Sequence, residues 1–206
     1  MSDHFYLQDS RSNVGSRAMF WRDGGGYTSN LDEAEQFTRE QAVRQYECRE
    51  TDLPWPVDYV RELAEVGADC QYLTRSEAEA FRNDDGRVYV SYSREWDGND
   101  LVWRSEQGPT ANLKEAIQPY AANAAGYQAQ GFDLWPCGYI DERARTVVRY
   151  ALLNQKQALR SVGLTLPKIK RQKYRRYVHR CSGCGRFLRE IDAYTSCPNC
   201  DVNNSP

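Results

Sequence analysis

The segment starting at Trp21 reads WRDGGGYTSNLDEAEQ, and the segment starting at Trp103 reads WRSEQGPTANLKEAIQ. At a constant offset of 82, nine of the sixteen positions coincide without a gap. Upstream the match continues with a one-residue shift, Ser10, Arg11 and Gly15 against Ser93, Arg94 and Gly98. Downstream, Trp55, Pro56, Tyr59, Val60 and Ala64 answer to Trp135, Pro136, Tyr139, Ile140 and Ala144. A chain that repeats itself folds as repeated units. We read two copies of one unit, residues 1–85 and 86–162. Each is small for a core of its own, so the two are expected to pack as one body, related by a pseudo-twofold.

Both copies share a coarse plan. A strand is expected over residues 5–8 and over 87–93, where Val88, Val90 and Tyr92 alternate with Tyr89, Ser91 and Ser93. A second strand follows near residues 19–22 and 101–104. Helices are expected after Asn30 and Asn112, which suit the N-cap. Thr38 with Gln41 reads as a capping box. A helix should follow each Trp-Pro pair. In the second copy it should be long, with Ile140, Ala144, Val147, Ala151 and Leu152 as its apolar stripe and its end near Gly163. Ser76 with Glu79 suggests a short helix closing the first copy. Trp21, Trp55, Trp103 and Trp135 stand at matching places and read as core. The fold class is therefore α+β: two tandem β-hairpin/helix repeats packed as one body, followed, on the paired spacing of Cys181, Cys184, Cys197 and Cys200, by a small C-terminal zinc ribbon.

Tyr6, Leu7, Gln8, Asp9, Ser10 and Arg11, with Phe20, Trp21, Gly26, Tyr27, Thr28, Ala34, Phe37, Thr38, Pro54, Trp55, Pro56 and Tyr59, resemble a family of small tailed-bacteriophage proteins. The resemblance covers about residues 4–75, and the second copy more loosely. It implies a phage or prophage origin and an accessory role during infection, and supplies no reaction. The second copy departs from it: Pro109 replaces Tyr27 and the Leu-Gln-Asp segment is lost.

Four of the seven cysteines, Cys181, Cys184, Cys197 and Cys200, form two Cys-x2-Cys pairs separated by twelve residues. Two-residue spacing points both thiolates of a pair at one ion, and four thiolates complete a tetrahedral Zn²⁺ site. Gly183 and Gly185 suit the tight knuckle. Phe187 and Leu188, and residues 191–194, are expected as short strands. A closed site of this kind is structural, and about 25 residues need the metal to fold. The residues leave open a thiol pair for redox work, without the βαβ context that usually surrounds one. His179 reads as a strand histidine beside the knuckle. Cys48, Cys70 and Cys137 stand singly, as buried free thiols would.

Charge divides the chain. Residues 1–142 carry 13 basic and 26 acidic side chains, residues 143–206 carry 14 and 3. Residues 163–178 form a basic arm before the ribbon of residues 179–206. Lys168, Lys170, Arg171, Lys173, Arg175, Arg176 and Arg180 can meet phosphates, and Tyr174 and Tyr177 can stack on bases. The same arm could instead dock on a protein surface, or serve as a solvated linker. With two histidines in separate segments and no P-loop at Gly24, Gly25 and Gly26, no catalytic residues are assigned and no enzyme is expected.

The first expectation is a non-catalytic phage accessory protein that binds DNA or RNA through arm and ribbon. The alternative is an anti-defence inhibitor or adaptor, anti-CRISPR-like, whose acidic body binds a host protein in imitation of a polyanion. No apolar run of membrane length and no signal segment is seen, so the expected place is the bacterial host cytoplasm. No small-molecule substrate is expected.

Overall fold

The computed structural model describes residues 3–82, 85–169 and 179–205. Helix and strand are mixed, in two compact units, Met1–Lys168 and Ile169–Pro206. Among the described residues no helix is long and apolar enough to cross a membrane.

The first sheet is built on β1 (His4–Val14), which turns at Gly15 into β2 (Arg17–Trp21). β3 (Tyr27–Thr28) extends the sheet beyond β2, and β4 (Phe37–Thr38) pairs with the start of β1. Helix α1 (Arg39–Cys48) then returns the chain to β5 (Asp52–Pro56), which runs antiparallel to β1 from Phe5↔Pro56 to Asp9↔Asp52. Thr38 and Gln41 close both hydrogen bonds of the expected capping box. Ala42 of α1 packs on Phe5 and Leu7. Helix α2 (Val57–Glu62), strand β6 (Glu65–Gly67) and helix α3 (Arg75–Ala80) follow.

The second sheet has the same run of strands. These are β7 (Val88–Asp97), β8 (Asp100–Ser105) and β9 (Gly108–Thr110), then β10 (Phe132–Pro136) after helix α4 (Ala125–Ala129), in the order β10-β7-β8-β9. Helix α5 (Cys137–Asp141), strand β11 (Arg145–Val147) and helix α6 (Gln155–Ser161) complete it. In both sheets the Trp-Pro tryptophan is pinned in the same way. Trp55 Nε1 donates to Gln8 Oε1 at 2.8 Å, and Trp135 Nε1 to Ser91 Oγ at 3.0 Å. Each indole stacks on the tyrosine four residues on, Tyr59 at 6.2 Å and Tyr139 at 6.3 Å between centroids.

Three expectations are corrected. No α-helix follows Asn30 or Asn112. Each asparagine caps a single turn, and the chain then pairs back onto its own hairpin, Glu35 N donating to Trp21 O and Ile117 N to Arg104 O at 2.9 Å. Leu31 and Leu113 are buried by that turn, so their apolar spacing was real but too short to sustain a helix. The long helix after Pro136 is also absent. It stops at Asp141, because Arg145, Thr146 and Val147 are taken up by strand pairing, and Asn154 caps a separate helix, α6. Finally, Trp21 does not sit where Trp103 sits. Gln8 faces Phe20 and Ser91 faces Trp103, so Phe20 holds that core place and Trp21 stands half-buried one residue on. The register difference is absorbed in the glycine turn, where Gly24, Gly25 and Gly26 all have positive φ. That turn joins β2 to β3.

The halves meet along β6 and β11, which pair antiparallel with Glu65↔Val147, Val66↔Thr146 and Gly67↔Arg145. Past this seam each chain segment crosses over. Leu101 N donates to Ala68 O and Ala18 N to Val148 O, both at 3.0 Å. Ala68, Ala78, Leu73 and Phe81 join the core of Tyr89, Trp103, Trp135 and Tyr139. Reciprocally, Val148, Leu153 and Ala158 join the core of Tyr6, Phe20, Leu31 and Trp55. Neither core is complete without residues from the other half.

Charge threads the seam. Arg17 donates to Glu65 Oε2 at 2.6 Å and to Asp100 Oδ2 at 2.8 Å, and its third contact is Ala111 O at 3.0 Å. Arg145 pairs with Asp69 at 2.9 Å and Asp100 at 2.7 Å, and Arg149 with Glu65. The two hairpin turns touch beside this network. A Cβ on Gly98 would lie 2.5 Å from the Val14 carbonyl carbon, and one on Gly15 would lie 2.2 Å from Gly98 N. Both glycines have positive φ, +58° at Gly15 and +65° at Gly98. Gly98→Ala combines a left-handed strain with a backbone clash, and is expected to cost about 3 kcal/mol or more. Urea denaturation of the full chain checks this. A loss under about 1 kcal/mol would contradict the close approach.

Candidate functional site

The C-terminal unit is described by itself. β12 (His179–Arg180) pairs with β13 (Phe187–Leu188), His179 opposite Leu188 and Arg180 opposite Phe187. Two knuckles of the same build follow. Cys181 N donates to Arg186 O and Gly185 N to Cys181 O. Cys197 N donates to Val202 O and Asp201 N to Cys197 O, all at 2.9 Å. Gly185 and Asp201 hold matching left-handed positions, φ +70° and +58°. Gly183 does not have positive φ. It is glycine because Val202 packs against it, 2.6 Å from where a Cβ would stand.

The knuckles bring the Sγ atoms of Cys181, Cys184, Cys197 and Cys200 within 4.8 Å of one another. Cys181 and Cys200 are 3.5 Å apart, Cys184 and Cys197 3.8 Å. Four sulfurs at 2.3 Å from a tetrahedral ion would be about 3.8 Å apart, so the cage fits that geometry. Backbone donors already favour thiolate. The N–H of Cys184, aided by that of Gly183, draws Cys181 down to about 6. Cys200 is pushed up to about 12. The N–H of Val202 works the other way, but the crowding thiols outweigh it. Four thiols this close cannot all ionise without a cation to hold them.

Little else holds this unit together. Among its described residues the buried ones are Cys181, Cys197 and Ala193, while Phe187, Ile191 and Tyr194 are exposed. His179 is where the strand reading put it, packed edge-on to Tyr194 at 5.6 Å and outside the four-sulfur group. Residues 191–194 are not a strand. Arg189 and Asp192 form a two-point ion pair, Nε to Oδ2 at 2.7 Å, which winds Glu190–Asp192 into a 3₁₀ turn. Of the proposed nucleic-acid contacts, Lys168 and Arg180 are exposed. Lys170, Arg171, Lys173, Tyr174, Arg175, Arg176 and Tyr177 lie outside the described residues.

The first sheet gathers a second polar group that sequence reading did not assemble. Asp9 Oδ1 accepts from Arg11 Nε at 2.9 Å, and Asp9 Oδ2 from a terminal nitrogen of Arg49 at 3.3 Å. Arg49 also donates to the Tyr27 hydroxyl at 3.1 Å. Asp52, fully buried opposite Asp9, accepts from Gln45 Nε2 at 3.0 Å, and burial raises its pKa. The second sheet fills the corresponding place with aromatics. Tyr92 faces Phe132, Tyr127 packs on Phe132, and Arg104 lies 5.4 Å from the Phe132 ring. Asp9, Arg11 and Tyr27 belong to the residues that carry the family resemblance. Arg49 and Asp52 carried no such mark, because their closeness depends on the β1–β5 register. The cluster is internally paired and reads as a clamp between β1, β3 and α1.

The three single cysteines differ. Cys48 is exposed, Cys70 half-buried and Cys137 buried, which corrects the expectation that all three are buried. Burial pushes Cys137 up to about 12, so it is a poor nucleophile. With zinc present, thiol titration of the folded protein is expected to find Cys48 fast, Cys70 slow and Cys137 silent. A chelator should release four further thiols. Unchanged reactivity after chelation would contradict a metal cage.

Comparison with family models, curated proteins and solved structures gives no match, so the geometry alone carries the functional reading.

Proposed function

We propose that this is a non-catalytic phage accessory protein in which a duplicated acidic body carries a zinc-folded module that binds nucleic acid. The observation that carries the reading is the surface of the C-terminal unit. Phe187 and Tyr194 are exposed, the Arg180 guanidinium stands 4.7 Å from the Phe187 ring, and Arg186 and Arg189 are exposed beside them. Aromatic faces and guanidinium groups together suit stacked bases and phosphate. From Lys168 to Arg189 the chain holds nine basic residues and no acidic one. Zinc is the metal this reading assigns, because four thiolates in a closed tetrahedron are its usual structural set. The duplication is supported by the common strand order and by the two Trp-Pro anchors.

The test is a titration of the full chain against labelled single- and double-stranded DNA and RNA. Five phosphate contacts from Lys170, Arg171, Lys173, Arg175 and Arg176 would weaken affinity about 500-fold between 50 and 200 mM salt. Neutralising all five should flatten that dependence. Phe187→Ala with Tyr194→Ala should weaken single-strand binding tenfold or more while the zinc stays bound. No salt-dependent binding to any of these polymers would overturn the reading.

A second reading is favoured by the body's charge, 13 basic against 26 acidic side chains over residues 1–142. Such a surface suits the basic groove of a host nucleic-acid enzyme. A stoichiometric host protein retained by the full chain, and released by polyanion, would make the inhibitor or adaptor role the leading one.

A further inference from the structure

Six charged side chains line the seam of β6 and β11, and their signs are inverted between the halves. The places correspond by register. Arg17 follows the first hairpin turn opposite Val14, and Asp100 follows the second opposite Asp97. Glu65 opens β6 and Arg145 opens β11. Asp69 bridges to Asp100, and Arg149 bridges to Arg17. The first half therefore presents plus, minus, minus where the second presents minus, plus, plus.

The contacts mirror one another with the same inversion. Within its own half Arg17 holds Glu65, and Asp100 holds Arg145. Across the seam Arg17 meets Asp100, Glu65 meets Arg149 and Asp69 meets Arg145. If a half faced its own kind, all three cross-seam contacts would become like-charged, Arg17 on Arg17 and Glu65 on Asp69 twice. Arg17 is 1 % and Asp100 0 % exposed, so water could not screen such a contact.

We propose that the seam is a partner-selecting interface. The surface of the first half fits a half of the same shape with the three charges inverted, here its own second half, and rejects a second copy of itself. Shape alone would not select. The strand pairing and the exchanged segments are alike on both sides, the arrangement that otherwise favours a symmetric pair of identical units or a domain-swapped assembly. The inverted charges supply the repulsive element that makes the pairing specific.

The test keeps the whole chain. A protease site is inserted between Arg82 and Asp85, the folded protein is cleaved, and native mass spectrometry follows it before and after unfolding and refolding. The expected result is one 1:1 pair of fragments and no homodimer of either. Homodimers as abundant as the 1:1 pair would overturn the proposal, as would fragments that separate at once. If the cleaved protein does not refold, the intact chain decides. Arg17→Asp, Glu65→Arg and Asp69→Arg together give the first half the second half's signs, and should lower Tm by more than about 10 °C. Adding Asp100→Arg, Arg145→Glu and Arg149→Asp restores opposition everywhere, and should recover at least half of that loss. A threefold variant as stable as the native chain, or a sixfold variant no better than the threefold, contradicts charge selection.

Discussion

The rest of the body depends on Arg17. Its guanidinium lies between two carboxylates from different halves, and its third nitrogen reaches the Ala111 carbonyl. A cation this deep is tolerated because each of its three nitrogens has a partner and because five other charges close the network around it. The same demand shapes the backbone. Gly67 has no side chain because the Asp100 carboxylate comes up against it, 2.5 Å from where a Cβ would stand. Gly15 and Gly98 let the two hairpins touch, so that Arg17 and Asp100 can meet. Removing one member of such a network leaves a partner charged and dry, a loss of about 3–5 kcal/mol. That is a large share of the stability of an ordinary domain.

The network is polar, but the energy that closes the seam is apolar. Each sheet lends its terminal segment to the other's core, so Trp103 and Tyr139 are covered by Ala78 and Phe81, and Tyr6 and Trp55 by Val148 and Ala158. Burial supplies the driving force, and charge decides which surfaces may share it. The C-terminal unit is built on the opposite principle. Among its described residues there is almost no apolar core, and two hydrogen-bonded knuckles converge four sulfurs. A metal held by those sulfurs would couple its stability to binding, whereas the body's rests on buried side chains.

Local signals in the sequence were legible where local physics decides. The Thr38–Gln41 capping box and the Cys-x2-Cys knuckles describe interactions completed within a few residues; the strand at β7 is there, but its alternation is not, because Val88, Tyr89, Val90 and Ser91 are all buried. The stretches after Asn30 and Asn112 were misread because their apolar spacing is satisfied by one turn, and long-range pairing to β2 and β8 takes the remainder. The stripe from Ile140 to Leu152 differs for a related reason: Thr146 and Val147 are β-branched, and their strand partners are Val66 and Glu65, far away in the chain. Trp21 matched Trp103 in the alignment but not in the sheet, because a gapless match of sixteen residues hid a one-residue difference inside the glycine turn. The charge inversion was present in the sequence throughout. It becomes visible only when register places Arg17 beside Asp100 and Glu65 beside Arg149.

The most direct measurement of the central claim is native-state hydrogen exchange at two amides, Ala18 and Leu101. Each donates across the seam, to Val148 and to Ala68. If the halves complete each other's cores, neither amide opens without global unfolding, and both exchange with the free energy that urea denaturation gives for the body. Exchange of either amide through a smaller opening, with the other still protected, would mean that the halves are stable alone and that the seam only joins them.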